Sequence, residues 1–180
     1  MQRHFLLFLL IVVSSSVFAQ EAVPPRPSPL AIASCKYKDS YLKITYGQPH
    51  KRGREVFGKL VPYGQVWRFG ANEATELTIT REVFINSQFL PAGTYSVFAI
   101  PNREKWTIIF SKDVGLWGAY NYNPANDVMH VDVATRILEG DLVYEPFTIA
   151  IDQKNNKADV VVTWDKTTLS FAVDFIEPKP

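Results

Sequence analysis

Cysteine and histidine, which supply most disulfides, metal sites and activated nucleophiles, are scarce in this chain. Its 180 residues include one cysteine, Cys35, and three histidines. A single cysteine excludes an internal disulfide, so stability must come from a packed core, in which Cys35 is expected to be partly buried. Three histidines far apart in the sequence also exclude a zinc site of the HExxH type.

The chain also lacks an excess of charge of either sign, and it lacks the common catalytic motifs. The chain carries 19 basic and 18 acidic side chains, a formal net charge of +1, which gives no electrostatic argument for nucleic acid or an anionic membrane surface as a partner. No phosphate loop, dinucleotide fingerprint or GxSxG elbow occurs. We therefore expect no cofactor and no metal, and enzymatic chemistry only of the kind that carboxylates perform alone.

The N-terminus has the pattern of a secretory signal, predicted over residues 1–19. Arg3 supplies the positive charge, Phe5–Val13 the apolar run, and Val17–Ala19 the small-residue cleavage site. The apolar run is about a dozen residues, whereas a membrane-spanning helix needs about 20. We expect an exported protein, periplasmic or extracellular and without a membrane span. A proline-rich, extended lead over residues 20–30 then precedes a single domain over residues 31–177.

Sustained helical stripes are absent after residue 19, and short runs of alternating apolar residues take their place. Leu169–Phe175, for example, places its large apolar side chains on one face. Asp165-Lys166 precedes this run, and Asn86-Ser87 divides another pair of runs, as tight hairpin turns do. Such spacing predicts an all-β fold with few or no helices, an antiparallel β-sandwich, jelly-roll-like or related, of about 8–10 strands.

Polar residues are concentrated in one short stretch, Trp67–Thr75, which we call the motif. One interpretation is structural: Arg68 and Glu73 form an ion pair across a tight turn, and Asn72 adopts a left-handed backbone conformation. The other is functional: Arg68 orients an anionic or polar ligand, Glu73 accepts hydrogen bonds or acts as a base, and Trp67 supplies a wall. The sequence leaves both open.

Two further loops are candidates for binding. The connection Leu116–Pro124 carries Trp117 and Tyr120, whose rings could form a platform for a sugar or could cap the open end of the sandwich. The basic run His50–Arg54 could bind an anion, although such runs are more often solvated loops.

A series of motifs along the chain resembles one known family, the domain-of-unknown-function 2911 family. In chain order these motifs are Tyr46-Gly47, Phe57-Gly58, Leu60-Val61-Pro62-Tyr63-Gly64, Val66-Trp67-Arg68, Gly70-Ala71-Asn72-Glu73-Ala74-Thr75, Leu90-Pro91-Ala92-Gly93-Thr94-Tyr95, Trp117-Gly118 and Asn123-Pro124-Ala125-Asn126-Asp127. The resemblance implies an exported, single-domain β protein of Bacteroidetes-type bacteria, and it implies no activity. The chain departs from the family's usual residues at His50 and His130, which weakens a catalytic role for either histidine.

Three functions are compatible with these observations. The preferred hypothesis is a non-enzymatic cell-envelope module that binds a small polar or carbohydrate-like ligand through Trp67, Arg68, Asn72, Glu73, Trp117 and Tyr120. The second is a metal-independent hydrolase or lyase with Glu73 as base and Arg68 as electrostatic anchor. The third is a purely structural envelope protein. The sequence does not indicate an oligomeric state.

Overall fold

A computed structural model describes residues 24–177, so the predicted signal peptide lies outside the described residues. Within that range the chain forms eleven strands and one short 3-10 turn, Pro124–Asn126. The strands are β1 (Leu30–Tyr37), β2 (Ser40–Gly47), β3 (Thr75–Ile79), β4 (Val83–Ile85), β5 (Gln88–Leu90), β6 (Gly93–Ile100), β7 (Lys105–Ser111), β8 (Asp127–Ile137), β9 (Tyr144–Lys154), β10 (Lys157–Asp165) and β11 (Thr167–Phe175). The predicted all-β antiparallel class is confirmed.

The strands form one continuous antiparallel sheet in the order β1-β2-β3-β6-β7-β8-β11-β10-β9, and the β4-β5 hairpin pairs with β11. Strand β8 bends the sheet, because it pairs with β7 as far as Ala134 and with β11 from Thr135 onwards. Beyond β2, Lys51 N–H donates to the Glu145 carbonyl at 2.8 Å, which joins the chain to β9. The sheet is thereby nearly closed into a barrel, and the predicted division into two stacked layers is not specifically shown.

The inward face of the sheet holds the hydrophobic core. In β11 the predicted alternation is present, since Leu169, Phe171, Val173 and Phe175 are all buried. Trp106 on β7 and Trp164 on β10 are 1% and 2% exposed. Burying aromatic rings of this size supplies a large share of the driving force for folding, which a domain without disulfides requires.

The predicted hairpin turns are present. Asn86 and Ser87 connect β4 to β5 with φ angles of +44° and +69°, as the left-handed turns that match strand twist require. Asp165, with φ of +54°, begins the turn from β10 to β11. Cys35 is half-buried in β1, and this burial raises the pKa of its thiol. No helix among residues 24–177 is long and apolar enough to cross a bilayer.

Candidate functional site

The motif is a closed loop whose two ends are bonded to each other. Thr75 N–H donates to the Arg68 carbonyl at 3.1 Å, and the buried Thr75 hydroxyl donates to the Phe69 carbonyl at 2.7 Å. Within the loop, Phe69 and Asn72 have φ of +52° and +63°. The left-handed conformation expected of Asn72 is therefore present, whereas a bulky residue such as Phe69 adopts it rarely and at a cost in strain.

The motif rests directly on the end of β2. Ala71 N–H donates to the Gly47 carbonyl at 3.0 Å. A Cβ atom at position 47 would lie 2.0 Å from the Ala71 carbonyl oxygen, a distance at which the two backbones would have to separate. Glycine at this position thus permits the close approach that anchors the motif to the sheet.

Trp67 begins the motif and forms part of an aromatic cluster. Its ring lies 5.2–6.3 Å, between centroids, from five other rings, those of Phe57, Phe69, Trp106, Phe147 and Trp164. With Trp164 it is stacked at 5.9 Å and 18°. Its indole N–H donates to the Gly70 carbonyl at 3.0 Å, and its backbone pairs with Ala99 on β6. Trp67 is therefore held rigidly between the core and the surface.

The Arg68–Glu73 ion pair of the structural interpretation does not form. Glu73 Oε1 instead accepts from Arg26 Nη1 at 2.8 Å, and this hydrogen bond is the main cause that lowers the pKa of Glu73. Among residues 24–177, Arg68 has no ion-pair partner, and its buried Nε atom has no hydrogen-bond acceptor. The cation of the motif thus has no countercharge within the described chain, whereas the carboxylate is paired through Oε1 and its Oε2 is buried without a hydrogen-bond partner.

A cleft of about 320 Å³ lies beside the motif. Its lining residues are Ser28, Pro49, Arg54, Leu60, Val61, Pro62, Gln65, Val66, Trp67, Arg68, Gly70, Ala71, Asn72 and Trp164. Two of these, Arg54 and Arg68, are cationic, and the lining contains no carboxylate. The guanidinium of Arg54 donates to the carbonyls of Lys51 and His50 at 2.9 and 2.7 Å. The cleft therefore combines two positive charges with tryptophan and aliphatic walls.

Glu73 faces a different depression. This second depression, of about 290 Å³, is lined by Glu73 and Glu76 together with residues from β1, β2 and the Gly115-Leu116 connection. Glu76 Oε1 is occupied by the N–H of Gly115 at 2.8 Å. Glu73 and Arg68 therefore do not line one common cavity, although only five positions separate them.

The connection Leu116–Pro124, which we call the aromatic connection, packs on the outer face of the sheet. Leu116, Ala119 and Tyr122 contact a small buried cluster formed by Ala74, Phe98 and Ile109. This packing turns Trp117 and Tyr120 outward, where they are 57% and 80% exposed. Neither ring lines the cleft. The loop that carries both rings is bonded to a residue of the cleft lining, since Gly118 N–H donates to the Asn72 carbonyl at 3.0 Å.

Gly118 also lies between Arg68 and Tyr120. A Cβ atom at this position would be 3.3 Å from Arg68 Nη1 and 3.0 Å from the Tyr120 ring. The outer end of the Arg68 guanidinium and the exposed Tyr120 ring are therefore close to the same backbone atom.

Tyr122 fixes the aromatic connection in place. Its ring packs edge-on against Phe98 at 4.9 Å, and its hydroxyl donates to Asp127 Oδ2 at 2.5 Å. Burial, followed by the bond to Asp127, raises the pKa of Tyr122 above its usual value. His130 Nε2 lies 2.8 Å from the same carboxylate oxygen. Tyr122, Asp127 and His130 thus have a structural role, because they attach the Leu116–Pro124 connection to β8.

The basic run is mostly engaged in contacts within the chain. Lys51 forms an ion pair with Asp165 at 2.5 Å, and Arg52 donates to the Pro27 carbonyl at 2.9 Å. Only Arg54 of the run's cations contributes to the cleft. Among the residues the structure describes, no group of three or more His, Cys, Asp or Glu side chains is arranged to hold a metal ion.

Of the six predicted site residues, the cleft brings together Trp67, Arg68 and Asn72. The sequence interpretation missed Trp164 and the wall Leu60–Pro62. Trp164 ends the apolar run of β10, but nothing in that run indicates that it meets Trp67 from nearly a hundred residues away. Leu60–Pro62 belongs to one of the family motifs, and membership of that motif is the only sequence feature that could have indicated a place in the cleft.

The family model described as "Protein of unknown function (DUF2911)" matches residues 28–173. That range includes every residue that lines the cleft. No curated protein and no solved structure matches the chain.

Proposed function

Because the chain belongs to the DUF2911 family, for which no function is known, we propose from its own residues that it is an exported protein that binds a small organic anion in the cleft beside the motif. The anionic group of the ligand, a carboxylate or a group of similar charge, pairs with Arg68. Its apolar or sugar-ring face packs against Trp67.

The observation that carries this proposal is the state of Arg68. A guanidinium stays charged under all physiological conditions, and a buried donor without an acceptor costs free energy. The Nε atom of Arg68 is such a donor within the described chain. An anion seated in the cleft would pair with the part of the Arg68 guanidinium that lines it, and the Arg54 charge would add to the attraction because the lining holds no acid.

The walls of the cleft favour a ligand with a flat or apolar face. The stacked pair Trp67 and Trp164 contributes to the lining, and Leu60, Val61 and Pro62 complete an apolar side. Asn72 and Gln65 add amide groups that can bond hydroxyls. This combination, a few directed polar groups on a mostly apolar wall, is typical of small-molecule sites. An acidic sugar has the matching chemistry.

A matched pair of sugars tests the proposal. N-acetylmuramic acid carries a carboxylate that N-acetylglucosamine lacks. We expect the acid, and not the neutral sugar, to raise the thermal midpoint of the purified protein and to bind in calorimetry. Glucuronate and glucose form a second such pair, which separates the need for a carboxylate from a preference for one sugar.

Two arginine variants identify the site. Arg68→Gln should weaken binding of the acid by roughly ten- to a hundredfold, the worth of one charge-assisted hydrogen bond. Arg136→Gln, which removes an exposed arginine of β8 outside the cleft lining, should leave binding unchanged. Equal responses to acid and neutral sugars, or an Arg68→Gln protein that binds as the parent does, would refute the proposal.

Catalysis by Glu73 and Arg68 has no comparable support. A general base and an electrostatic anchor must reach the same bound substrate, and these two side chains line separate depressions. If neither N-acetylmuramic acid nor glucuronate binds, the purely structural role is the better supported function.

A further inference from the structure

The proline-rich segment that precedes β1 crosses the motif. We call residues 24–29 the strap. Arg26 pairs with Glu73, Asn72 Nδ2 donates to the Ser28 carbonyl at 3.1 Å, and Arg52 Nη2 donates to the Pro27 carbonyl at 2.9 Å. Ser28 is itself part of the cleft lining. Three successive strap residues are thus each held by one side chain of the folded domain, and one of them forms a wall of the site.

The strap is attached weakly, because it makes no strand pairing and its residues are mostly exposed. Prolines at positions 24, 25, 27 and 29 have no N–H group and cannot join a strand ladder, and all residues of the strap except the half-buried Ser28 are exposed. The side chains of Arg26 and Glu73 are 59% and 43% exposed, so their ion pair shifts an open-to-closed equilibrium by about fivefold at most. Regular pairing starts only at Leu30, opposite Gly47.

The boundary between the strap and the sheet lies at Pro29, where backbone pairing with the β2 side begins. Gln48 N–H donates to the Pro29 carbonyl at 2.8 Å, and every later residue of β1 is paired with β2. Movement of residues 24–28 therefore breaks the three side-chain contacts and leaves the sheet intact.

We propose that the strap is a movable wall of the cleft and that Glu73 is its catch, so that the cleft opens for ligand exchange when the contact between Arg26 and Glu73 breaks together with the bonds that hold Ser28 and Pro27. This inference rests on the proposed function only for the identity of the exchanging ligand. Glu73 and Arg26 are positioning residues here, since they act on the cleft through Ser28. The lowered pKa of Glu73 agrees with this role, because it reflects stabilisation of the carboxylate by Arg26.

Tryptophan fluorescence can detect the movement without any ligand. The chain has four tryptophans, of which Trp106 and Trp164 are almost fully buried and Trp117 is exposed. In a Trp117→Phe background, the neutral quencher acrylamide reports mainly on Trp67 in the cleft. Glu73→Gln and Arg26→Ala should each increase the bimolecular quenching constant, by up to about fivefold. Lys105→Ala breaks an equally exposed ion pair, that with Asp132, and should leave the constant unchanged.

Arg26→Ala keeps the test decisive if Glu73→Gln perturbs the fold, since Arg26 lies outside the sheet. Quenching constants that stay at the parent value in both variants would overturn the movable wall. The proposed function is tested separately by the sugar acids. Arg68-dependent binding with unchanged quenching would leave the function and remove the strap inference, whereas increased quenching without any anion binding would do the reverse.

Discussion

Replacing Thr75 by valine would test the hydrogen bond that closes the motif. Thr75 is 0% exposed, and its hydroxyl donates to the Phe69 carbonyl at 2.7 Å. Valine has nearly the same shape, so the change removes the hydroxyl and leaves the carbonyl without this donor in a region from which water is excluded. Loss of one partner of a buried hydrogen bond costs about 1–3 kcal/mol. For a domain of this size, each kcal/mol lowers Tm by about 2–4 °C.

Urea unfolding followed by tryptophan fluorescence, with Tm from circular dichroism, would give the free energy of unfolding. Thr78→Val is the matched control, because Thr78 lies on the same strand and its hydroxyl contacts Thr94 Oγ1 at 3.2 Å at an exposed site. We expect the control to stay within about 0.5 kcal/mol of the parent. If Thr75→Val were no less stable than Thr78→Val, the closure of the motif would not depend on this hydroxyl.

Three other predictions concern local geometry and pH. Gly118→Ala should destabilise the protein more than Gly115→Ala: both glycines have φ near +70°, but only the Gly118 Cβ would meet neighbouring side chains, and chemical unfolding of the two variants measures the difference. The raised pKa of Tyr122 gives stability that is complete below pH about 10 and is lost as the pH rises above it, and Tyr122→Phe should lose this alkaline dependence in urea titrations. The lowered pKa of Glu73 gives stability that is present above pH about 4.3 and is lost as the pH falls below it. The stability difference between the parent and Arg26→Ala should therefore vanish in acid.

The sequence predicted those strands whose large apolar residues share the inward face, and β1 shows why others were missed. In β1 the large side chains Leu30 and Ile32 point outward and are 60% and 61% exposed. The inward positions carry small residues such as Ala31 and Ala33, which pack against the core. Periodicity is recognised from the large residues, and in β1 these mark the exposed face, so the pattern does not predict a strand here. Leu30 falls in the predicted lead, and the rest of β1 falls at the start of the predicted domain.

The site was predicted in part for a related reason. The motif identifies itself through local polar density, and Trp67, Arg68 and Asn72 do line one cleft. The partner of Glu73 could not be found from the motif, because Arg26 is 47 residues away in a segment without periodicity. Trp164 completes the cleft only because closure of the sheet brings the end of β10 to the motif, and such long-range pairing leaves no local signal.

The separation of Arg68 from Glu73 has a consequence for the chemistry of the motif. If the two side chains neutralised each other, the motif would offer a ligand little net charge, and replacing either one would damage the same interaction. In the structure the left-handed backbone at Asn72 falls between them, and they line different depressions. Arg68 is then left to attract an anion, and Glu73 to hold the strap through Arg26. Loss of Arg68 should change affinity without moving the strap, and loss of Glu73 should move the strap without removing the positive charge of the cleft.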